Sequence, residues 1–345
     1  MKFFYLIVSS SAMILIFLIA FVLTFYNKSR RKNITKHRPL GVDSLDSETK
    51  LELEILEWNV FGFDLDDLLS ASADLLGKGK IGSTFKATLD SGKIVAVKRT
   101  KILNALTRKK TMKNMKVNGN VSHENVAKIL SFFISKKEML IVTEFFPHGN
   151  LFHLLHSNRR SGRSPLDWNS RLVIIKDIAA GMAFLHRARL LHGNLESSNV
   201  LIHLAGGFRR AKLTDFGFLH LLPAGEKLAV SRSPEFSLGK KVTPKSDVYC
   251  FGILLLEILT GRIPDDSPES GDSNLSDWVR NVLSQDWSTD IFDLEIAAGE
   301  NHAEMGVLTD LALECTSQAP AKRPSMGAVL ARINSEFKVE DEIIC

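Results

Sequence analysis

The sequence predicts an α+β domain, strand-rich in its first part and helix-rich in its second, preceded by one membrane-spanning helix. Short β-branched runs at residues 94–97 and 139–142 alternate with turn residues, which is typical of strands. After Gly149 apolar residues recur three or four positions apart, most clearly at residues 171–186 and 247–259, which indicates helices. Residues 3–26 carry no charge and are rich in Leu, Ile, Phe and Val.

The uncharged N-terminal run has enough length, as a helix, to cross a bilayer core of roughly 30 Å. A cleaved signal peptide is the alternative, but its apolar region is only about 7 to 15 residues long and ends in small residues. Here the run continues into basic residues, so a retained signal anchor over residues 1–27 is favoured. The basic residues that follow it predict a cytoplasmic location for the rest of the chain and contact with anionic lipid over residues 28–38: Lys28, Arg30, Arg31, Lys32, Lys36 and Arg38. We expect a single-pass protein of the plasma membrane.

Composition limits the remaining function classes. The chain has 345 residues and a net charge of +5, and much of the excess charge lies beside the apolar N-terminus, so nucleic-acid binding is not predicted. Its three cysteines are far apart and lack metal-ligand spacing, so neither a disulfide framework nor a zinc site is indicated. Residues 28–62 read as a linker, basic and then acidic, residues 63–337 as the folded domain, and residues 338–345 as a tail.

A glycine-rich turn is the first candidate site. Gly77, Gly79 and Gly82 have the spacing that lets backbone N–H groups approach phosphates without interference from a Cβ. The spacing alone is also that of a dinucleotide-binding turn. Such a turn requires a helix directly afterwards, whereas a strand-like run at residues 85–89 and a tight turn follow here.

A glycine-rich hairpin followed by Val-Ala-x-Lys, which ends at Lys98, resembles the nucleotide loop and phosphate-binding lysine of protein kinases. Four further motifs occur in the order found in that family: Asp-Phe-Gly at 215–217, Ser-Pro-Glu at 233–235, Ser-Asp-Val-Tyr at 246–249 and Arg-Pro at 323–324. The segment at 63–73 and the His-Gly-Asn loop at 192–194 are similar to plant leucine-rich-repeat receptor-like kinases, in particular their atypical, inactive members. The resemblance covers about residues 60–337, and almost no ectodomain is expected before it.

The resemblance implies a bilobal protein-kinase-like fold, with a β-rich N-lobe over about residues 70–143 and a helical C-lobe over about residues 148–337. It implies ATP as the ligand, with Gly77, Gly79, Gly82 and Lys98 at the phosphates, and Mg²⁺ held by Asn199 and Asp215. It places the adenine near the hinge at Glu144 and Phe146, between Ala96 and Leu201, with Thr143 as gatekeeper. It also implies a scaffold pair between Glu235 and Arg323.

Three departures from the family pattern bear on phosphoryl transfer. Asn194 replaces the aspartate that accepts or orients the substrate proton, and an amide is not a useful base. A positioned acid–base group contributes about 10²- to 10⁴-fold, so this change alone leaves slow turnover. Glu196 replaces the lysine that stabilises the transferred group, and unit charges about 4 Å apart interact by roughly 4 kcal/mol at a dielectric of 20.

The third departure is the helix glutamate that pairs with the family's lysine. Counting back from the motif at residues 123–126, its position falls on Asn114, and no acidic residue lies between Thr100 and Val121. Because no carboxylate is nearby in any register, we expect the ion pair with Lys98 to be missing.

Three functions follow from this pattern. The first is a pseudokinase that binds ATP and Mg²⁺ and regulates signalling through partner receptor kinases or co-receptors. The second is a Ser/Thr kinase of low activity, and the third is a scaffold without nucleotide affinity, so enzymatic activity stays open. Three histidines near the expected hinge lack cysteine or acidic neighbours in sequence and are interpreted as solvated rather than as metal ligands: His148, His153 and His156.

Overall fold

The structure is a computed structural model, and it describes residues 52–55, 63, 65–101, 105–134, 138–157, 164–221, 228–264, 274–285 and 291–337. The expected anchor at 1–27, the basic run at 28–38 and the tail at 338–345 lie outside these residues. Two compact units are present: the first comprises Met1–Ile102 with Leu130–Phe145, and the second comprises Leu103–Ile129 with Phe146–Cys345. In the described ranges, no helix has both the length and the apolar character that a bilayer crossing requires.

The first unit is built on a six-stranded sheet. Its strands are β1 (Glu52–Ile55), β2 (Ser72–Lys78), β3 (Gly82–Thr88), β4 (Ile94–Lys101), β5 (Ile129–Ile134) and β6 (Glu138–Glu144), in the spatial order β1-β5-β6-β4-β3-β2. A short helix, α1 (Leu65–Ser70), precedes β2. The strand β1 lies within the stretch that the sequence assigns to the linker, and it pairs antiparallel with β5 at the sheet edge.

The alternation of side chains in β4 positions the lysine of the first unit. Val95 and Val97 are buried in a cluster with Leu68, Ala87, Leu89, Leu130 and Val142. Because successive side chains of a strand point to opposite faces, Ala96 and Lys98 lie on the other face of the sheet. The β-branched run that predicted this strand therefore also separates the core face from the candidate binding face.

The second unit is mainly helical. Its helices are α2 (Ala105–Gly119), α3 (Leu151–His156), α4 (Trp168–Arg187), α5 (Pro234–Ser237), α6 (Pro244–Thr260), α7 (Leu275–Leu283), α8 (Leu294–Ala297), α9 (His302–Cys315) and α10 (Met326–Glu336). One antiparallel hairpin of β7 (Val200–Ala205) and β8 (Phe208–Leu213) lies among them.

Helix α6 forms the centre of the second unit. It begins at a capping box on Thr243 with Pro244 in the first turn, and it ends at Gly261 in the left-handed conformation (φ 64°). Its apolar residues are buried on all sides, and a Cβ on Gly252 would lie 2.7 Å from Cγ2 of Thr316, so α6 and α9 pack too closely for a side chain there. Cys250 and Cys315 are free and buried, and burial raises the pKa of both thiols.

Candidate functional site

The glycine-rich turn of the first unit joins β2 to β3. Gly79 and Gly82 exchange two backbone hydrogen bonds, with N to O distances of 2.8 and 3.2 Å. A Cβ on Gly82 would lie 2.0 Å from the carbonyl oxygen of Arg99, so only glycine fits there. At Gly77 no atom lies within 4 Å of an added Cβ, and at Gly79 the nearest lies 3.9 Å away. The turn is therefore tight at its base and leaves the backbone of its first two glycines accessible.

Strands β4 and β6 carry four of the predicted nucleotide-site positions. Ala96 pairs with Thr143 across the two strands, and Lys98 faces Thr84 on β3. Glu144 ends β6 and pairs with Val95. The sheet thus brings the predicted gatekeeper Thr143 directly beside Ala96.

In the second unit, the loop at residues 192–194 is held by the carboxylate of Asp247. Its two oxygens accept the backbone N–H groups of His192 and Gly193, both at 2.8 Å. Burial lowers the pKa of His192 to about 4, so this ring is neutral at physiological pH. Its Nδ1 accepts the backbone N–H of Asn194 at 3.3 Å. The backbone of the loop is therefore held by a buried scaffold carboxylate.

Asn194, which the resemblance predicts at the position of the catalytic aspartate, is buried and hydrogen-bonded. Its Oδ1 accepts the backbone N–H of Ala229 at 3.1 Å, and its carbonyl accepts Nδ2 of Asn199 at 2.8 Å. Ala229 begins the helical turn Ala229–Arg232 and is fully buried. The side chain of Asn194 is therefore bonded to a segment of its own chain.

Glu196, which the resemblance predicts at the position of the catalytic-loop lysine, is half-buried two residues further on. Its Oε1 accepts the hydroxyl of Ser198 at 2.8 Å. The carboxylate is thus oriented within the loop.

Asn199 and Asp215 provide ligands of the type that Mg²⁺ prefers. The backbone N–H of Thr214 donates to the carbonyl of Asn199 at 3.0 Å. Asp215 is the next residue in the chain after Thr214. Since Nδ2 of Asn199 is used towards Asn194, its Oδ1 is the amide atom that a metal would take. Asp215 is held at φ 61°. This set of oxygen donors fits Mg²⁺.

Asn114 lies on helix α2, which has no acidic residue in any of its turns. Its Nδ2 lies 3.2 Å from Nδ1 of His220. His220 belongs to the helical turn Leu219–Leu221, directly after the Asp-Phe-Gly motif. Sequence reasoning identified Asn114 but missed His220, because no local periodicity signals a contact between residues this far apart in the chain.

The remaining predicted contacts of the nucleotide site lie beside the β7–β8 hairpin. Leu201 forms a bridge with Asn150. The ring of Phe146 lies 6.0 Å from that of His203, measured between centroids, and Nζ of Lys212 lies 5.7 Å from the centre of the Phe146 ring. Leu201 and Phe146 therefore both lie at the β7–β8 hairpin of the second unit.

The scaffold pair implied by the resemblance is present. Arg323 donates from both terminal nitrogens to the two carboxylate oxygens of Glu235, each at 2.8 Å, and the hydroxyl of Ser246 donates to Glu235 at 2.7 Å. Burial acts to raise the pKa of Glu235, but the bonds from Arg323 and Ser246 outweigh it and hold the pKa below its usual 4.5. Ser233, two residues before Glu235, is fully buried.

The interpretation of three solvated histidines is wrong for His156. Its side chain is buried, and Nε2 lies 2.9 Å from Oε1 of Glu257, which also accepts the hydroxyl of Ser197 at 2.6 Å. His148 and His153 are exposed, as expected. Burial of His156 arises from a partner 101 residues away, which the sequence around the histidine does not reveal. Among the described residues, no group of three or more His, Cys, Asp or Glu is arranged to hold a metal ion.

Comparison with known proteins agrees with this geometry. The family model for protein tyrosine and serine/threonine kinases matches residues 71–333. The chain belongs to the protein kinase family. A probable leucine-rich repeat receptor-like protein kinase of Arabidopsis thaliana is 41% identical over 283 residues, covering 79% of this chain and 42% of the relative. A probable inactive receptor kinase of the same plant is 38% identical over 282 residues, with 79% and 42% covered.

Two solved kinase domains have the same fold. The pseudokinase domain of BIR2, described as an immune regulator of the RLK/Pelle family, has a TM-score of 0.67 at 28% identity, covering 83% of this chain and 89% of that one. The kinase domain of maize SIRK1 bound to AMP-PNP has a TM-score of 0.72 at 29% identity, covering 82% and 99%. The bilobal fold, with a β-sheet N-lobe and a helical C-lobe, is thereby confirmed. The chain spans less than half the length of the two curated relatives named above.

Proposed function

We propose that this chain is a membrane-anchored receptor-like pseudokinase that binds ATP with Mg²⁺ and regulates signalling through partner receptor kinases or co-receptors. The observation that carries the proposal is the state of Asn194, which is buried and bonded to the backbone of Ala229. A group at this position must meet a substrate hydroxyl and take its proton. An amide is not a base, and the Oδ1 atom of this amide is already bonded within the chain.

The charge at Glu196 supports the same proposal. Phosphoryl transfer spreads negative charge over the equatorial oxygens, and the family's lysine stabilises that charge. A carboxylate in its place repels the transferring group, at a cost on the order of 4 kcal/mol for charges about 4 Å apart at a dielectric of 20. Each kcal/mol is worth about fivefold in rate, so this effect is on the order of several hundredfold, which is comparable with the loss of the base.

Nucleotide binding is supported by the groups that remain. Gly77, Gly79, Gly82 and Lys98 would bind the phosphates, and Asn199 and Asp215 would hold Mg²⁺, whose chemistry is to neutralise phosphate charge. The maize kinase domain of the same fold binds AMP-PNP. The second candidate, a kinase of low activity, is favoured by the ordered contact between residues Asn199 and Thr214, which aligns the two metal ligands.

The membrane anchor over residues 1–27 and the anionic-lipid contact over residues 28–38 are part of the proposal. They rest on the uncharged run and the basic residues after it, together with the receptor-like kinase relatives. A fusion of residues 1–38 to a fluorescent protein tests both, because we expect it to stay in the membrane pellet after alkaline carbonate washing. Recovery of the fusion in the wash would contradict the anchor.

Two measurements on the full chain test the function. We expect Mg-ATP to raise the melting temperature, and we expect no transfer of the γ-phosphate to the chain itself or to a general protein substrate. Lys98→Met and Asp215→Asn are the matched variants, and both should lose the melting shift. Transfer that disappears in both variants would establish the low-activity kinase, and no melting shift at saturating Mg-ATP would establish the scaffold without nucleotide.

A further inference from the structure

Helix α2 presents a stripe of neutral polar side chains to the segment after Asp215. Thr111 is fully buried, Asn118 is 3% exposed, and Asn114 lies between them. Residues three and four apart on a helix lie on one face, so the three side chains form a single row. Burying polar groups is unfavourable unless they are hydrogen-bonded, which makes their partners informative.

His220 provides the partner for two of them. Its Nδ1 lies 3.2 Å from Nδ2 of Asn114, and its Nε2 lies 2.9 Å from Oγ1 of Thr111. With the amide nitrogen of Asn114 facing the ring, Nδ1 accepts, and the single proton of a neutral imidazole is then on Nε2 and donates to Thr111. Both ring nitrogens are used in this neutral tautomer. Burial, and then the charge of Lys110, lower the pKa of His220 against the opposing effect of the Gly217 backbone, which favours a neutral ring.

Asn118 makes the second contact with the same segment. Its Nδ2 donates to the carbonyl of Phe216 at 3.4 Å. Gly217 follows with φ 77°, and a Cβ there would lie 2.6 Å from Nδ2 of Asn118. The side chain of Asn118 therefore lies against Gly217 and would have to move to admit a side chain at residue 217.

We propose that these contacts form an uncharged latch, the α2 latch, in which Thr111, Asn114 and Asn118 hold Phe216, Gly217 and His220 and keep the segment after Asp215 closed against helix α2. Asn114, at the position where the family resemblance expects a glutamate, acts as the donor of the latch. The inference deepens the proposed function by describing how the segment beside the site is held. It rests on that function in one respect, which is the assignment of Asn114 to the position of the family's helix glutamate.

The chemistry of residue 114 explains why an amide suits the latch. A carboxylate has no hydrogen to give, so glutamate or aspartate at this position cannot donate to Nδ1 and can only accept from a protonated Nδ1. It would therefore move the proton of the neutral ring to Nδ1, and its charge would also raise the pKa of His220. The latch contains no charge and no phosphate, so the closed segment is set by the chain itself and not by a phosphate-to-arginine pair.

Hydrogen exchange on the full chain without nucleotide tests the latch. We expect His220→Phe, which keeps a ring but removes both nitrogens, to speed amide exchange of residues 111–119 and 216–221 by about tenfold. Thr111→Val, which removes only the hydroxyl, should speed exchange of the same peptides to a smaller extent. The matched control is His148→Phe at an exposed histidine, which should leave these peptides unchanged. Equal exchange in the wild type and His220→Phe would overturn the proposal.

A second measurement reads the ring itself and does not depend on loss of stability. In the full chain with ring-¹⁵N-labelled histidine, we expect the His220 ring to be neutral and protonated on Nε2 at pH 7. Asn114→Asp should place a proton on Nδ1 and raise the pKa of His220, whereas Asn114→Ala should not. An unchanged ring state in Asn114→Asp would refute the role of Asn114. Both tests omit ATP, so the latch and the proposed nucleotide binding fail independently.

Discussion

Removal of the Asn194 side chain should loosen the segment that begins at Ala229. Asn194→Ala leaves the backbone N–H of Ala229 without the acceptor that now lies 3.1 Å away, in a place where Ala229 is fully buried. An unsatisfied buried donor costs about 1 to 3 kcal/mol. For a domain of this size each kcal/mol lowers the melting temperature by about 2 °C, so we expect a fall of about 2 to 6 °C. Asn194→Asp keeps an acceptor and should retain the bond to Ala229.

The assay combines melting of the full chain with hydrogen exchange of the peptide that contains residues 229–233. The control is Asn281→Ala, at an exposed position of helix α7, which should change stability by less than about 0.5 kcal/mol. Amide hydrogen exchange of residues 229–233 decides the test. If it is as slow in Asn194→Ala as in the wild type, the hydrogen bond does not hold this segment, and the structural role assigned to Asn194 is wrong.

Three further substitutions test the scaffold and the nucleotide site. Glu235→Gln should lower the free energy of unfolding by about 3 to 5 kcal/mol, because it leaves the buried Arg323 without its charged partner. Glu314→Gln, in an exposed arginine pair, should lower it by less than about 1 kcal/mol, and similar melting shifts for the two variants would contradict this. Since the pKa of Glu235 is lowered, its contribution is complete above its ordinary 4.5 and is lost as pH falls through the folded value, so the gap between Glu235→Gln and the wild type should close in acid. Gly82→Ala should lower the melting temperature and reduce the rise in melting temperature that Mg-ATP causes, because its Cβ would lie 2.0 Å from a backbone oxygen. Gly306→Ala, where helix α9 has open space for a Cβ, should change neither, and equal effects of the two variants would refute the close approach at Gly82. Glu196→Gln keeps an acceptor for its serine neighbour but removes the charge, so we expect Mg-ATP to bind several-fold more tightly by calorimetry, and unchanged affinity would place the carboxylate away from the phosphates.

Local sequence signals were sufficient to predict the strand-rich first part and the helix-rich second part because they depend on short-range physics, whereas the bilobal kinase fold was predicted from the family resemblance. The β-branched runs at 94–97 and 139–142 lie in β4 and β6, and the helical spacing at 171–186 and 247–259 lies in α4 and α6. These periods follow directly from which faces must be buried. The pairing of Glu235 with Arg323 was also expected, but from family resemblance, since the two residues are 88 positions apart.

The contacts that the sequence did not predict all join distant parts of the chain. His156 and Glu257 are separated by 101 residues, and Asn114 and His220 by 106. A lone histidine on a helix has the same local pattern whether it meets water or a buried carboxylate, because the partner comes from another element. The edge strand β1 is similar, since its charged sequence reads as linker and its structure depends on pairing with β5.

The two predicted replacements at residues 194 and 114 have a structural feature in common. The resemblance expects an acid at each position, and in each case the amide that is present contacts a residue between Asp215 and Glu235: Oδ1 of Asn194 accepts from Ala229, and Nδ2 of Asn114 lies against His220. If selection for catalysis were simply lost, the residues at these positions would not need to be partly or fully buried or hydrogen-bonded, as Asn194 and Asn114 are. An amide offers both a donor and an acceptor without the desolvation cost of a charge, so it can hold a backbone group or a neutral ring where a carboxylate is costly. Two such replacements at the two ends of one segment fit a chain in which the segment serves as a fixed surface rather than as a switch for catalysis.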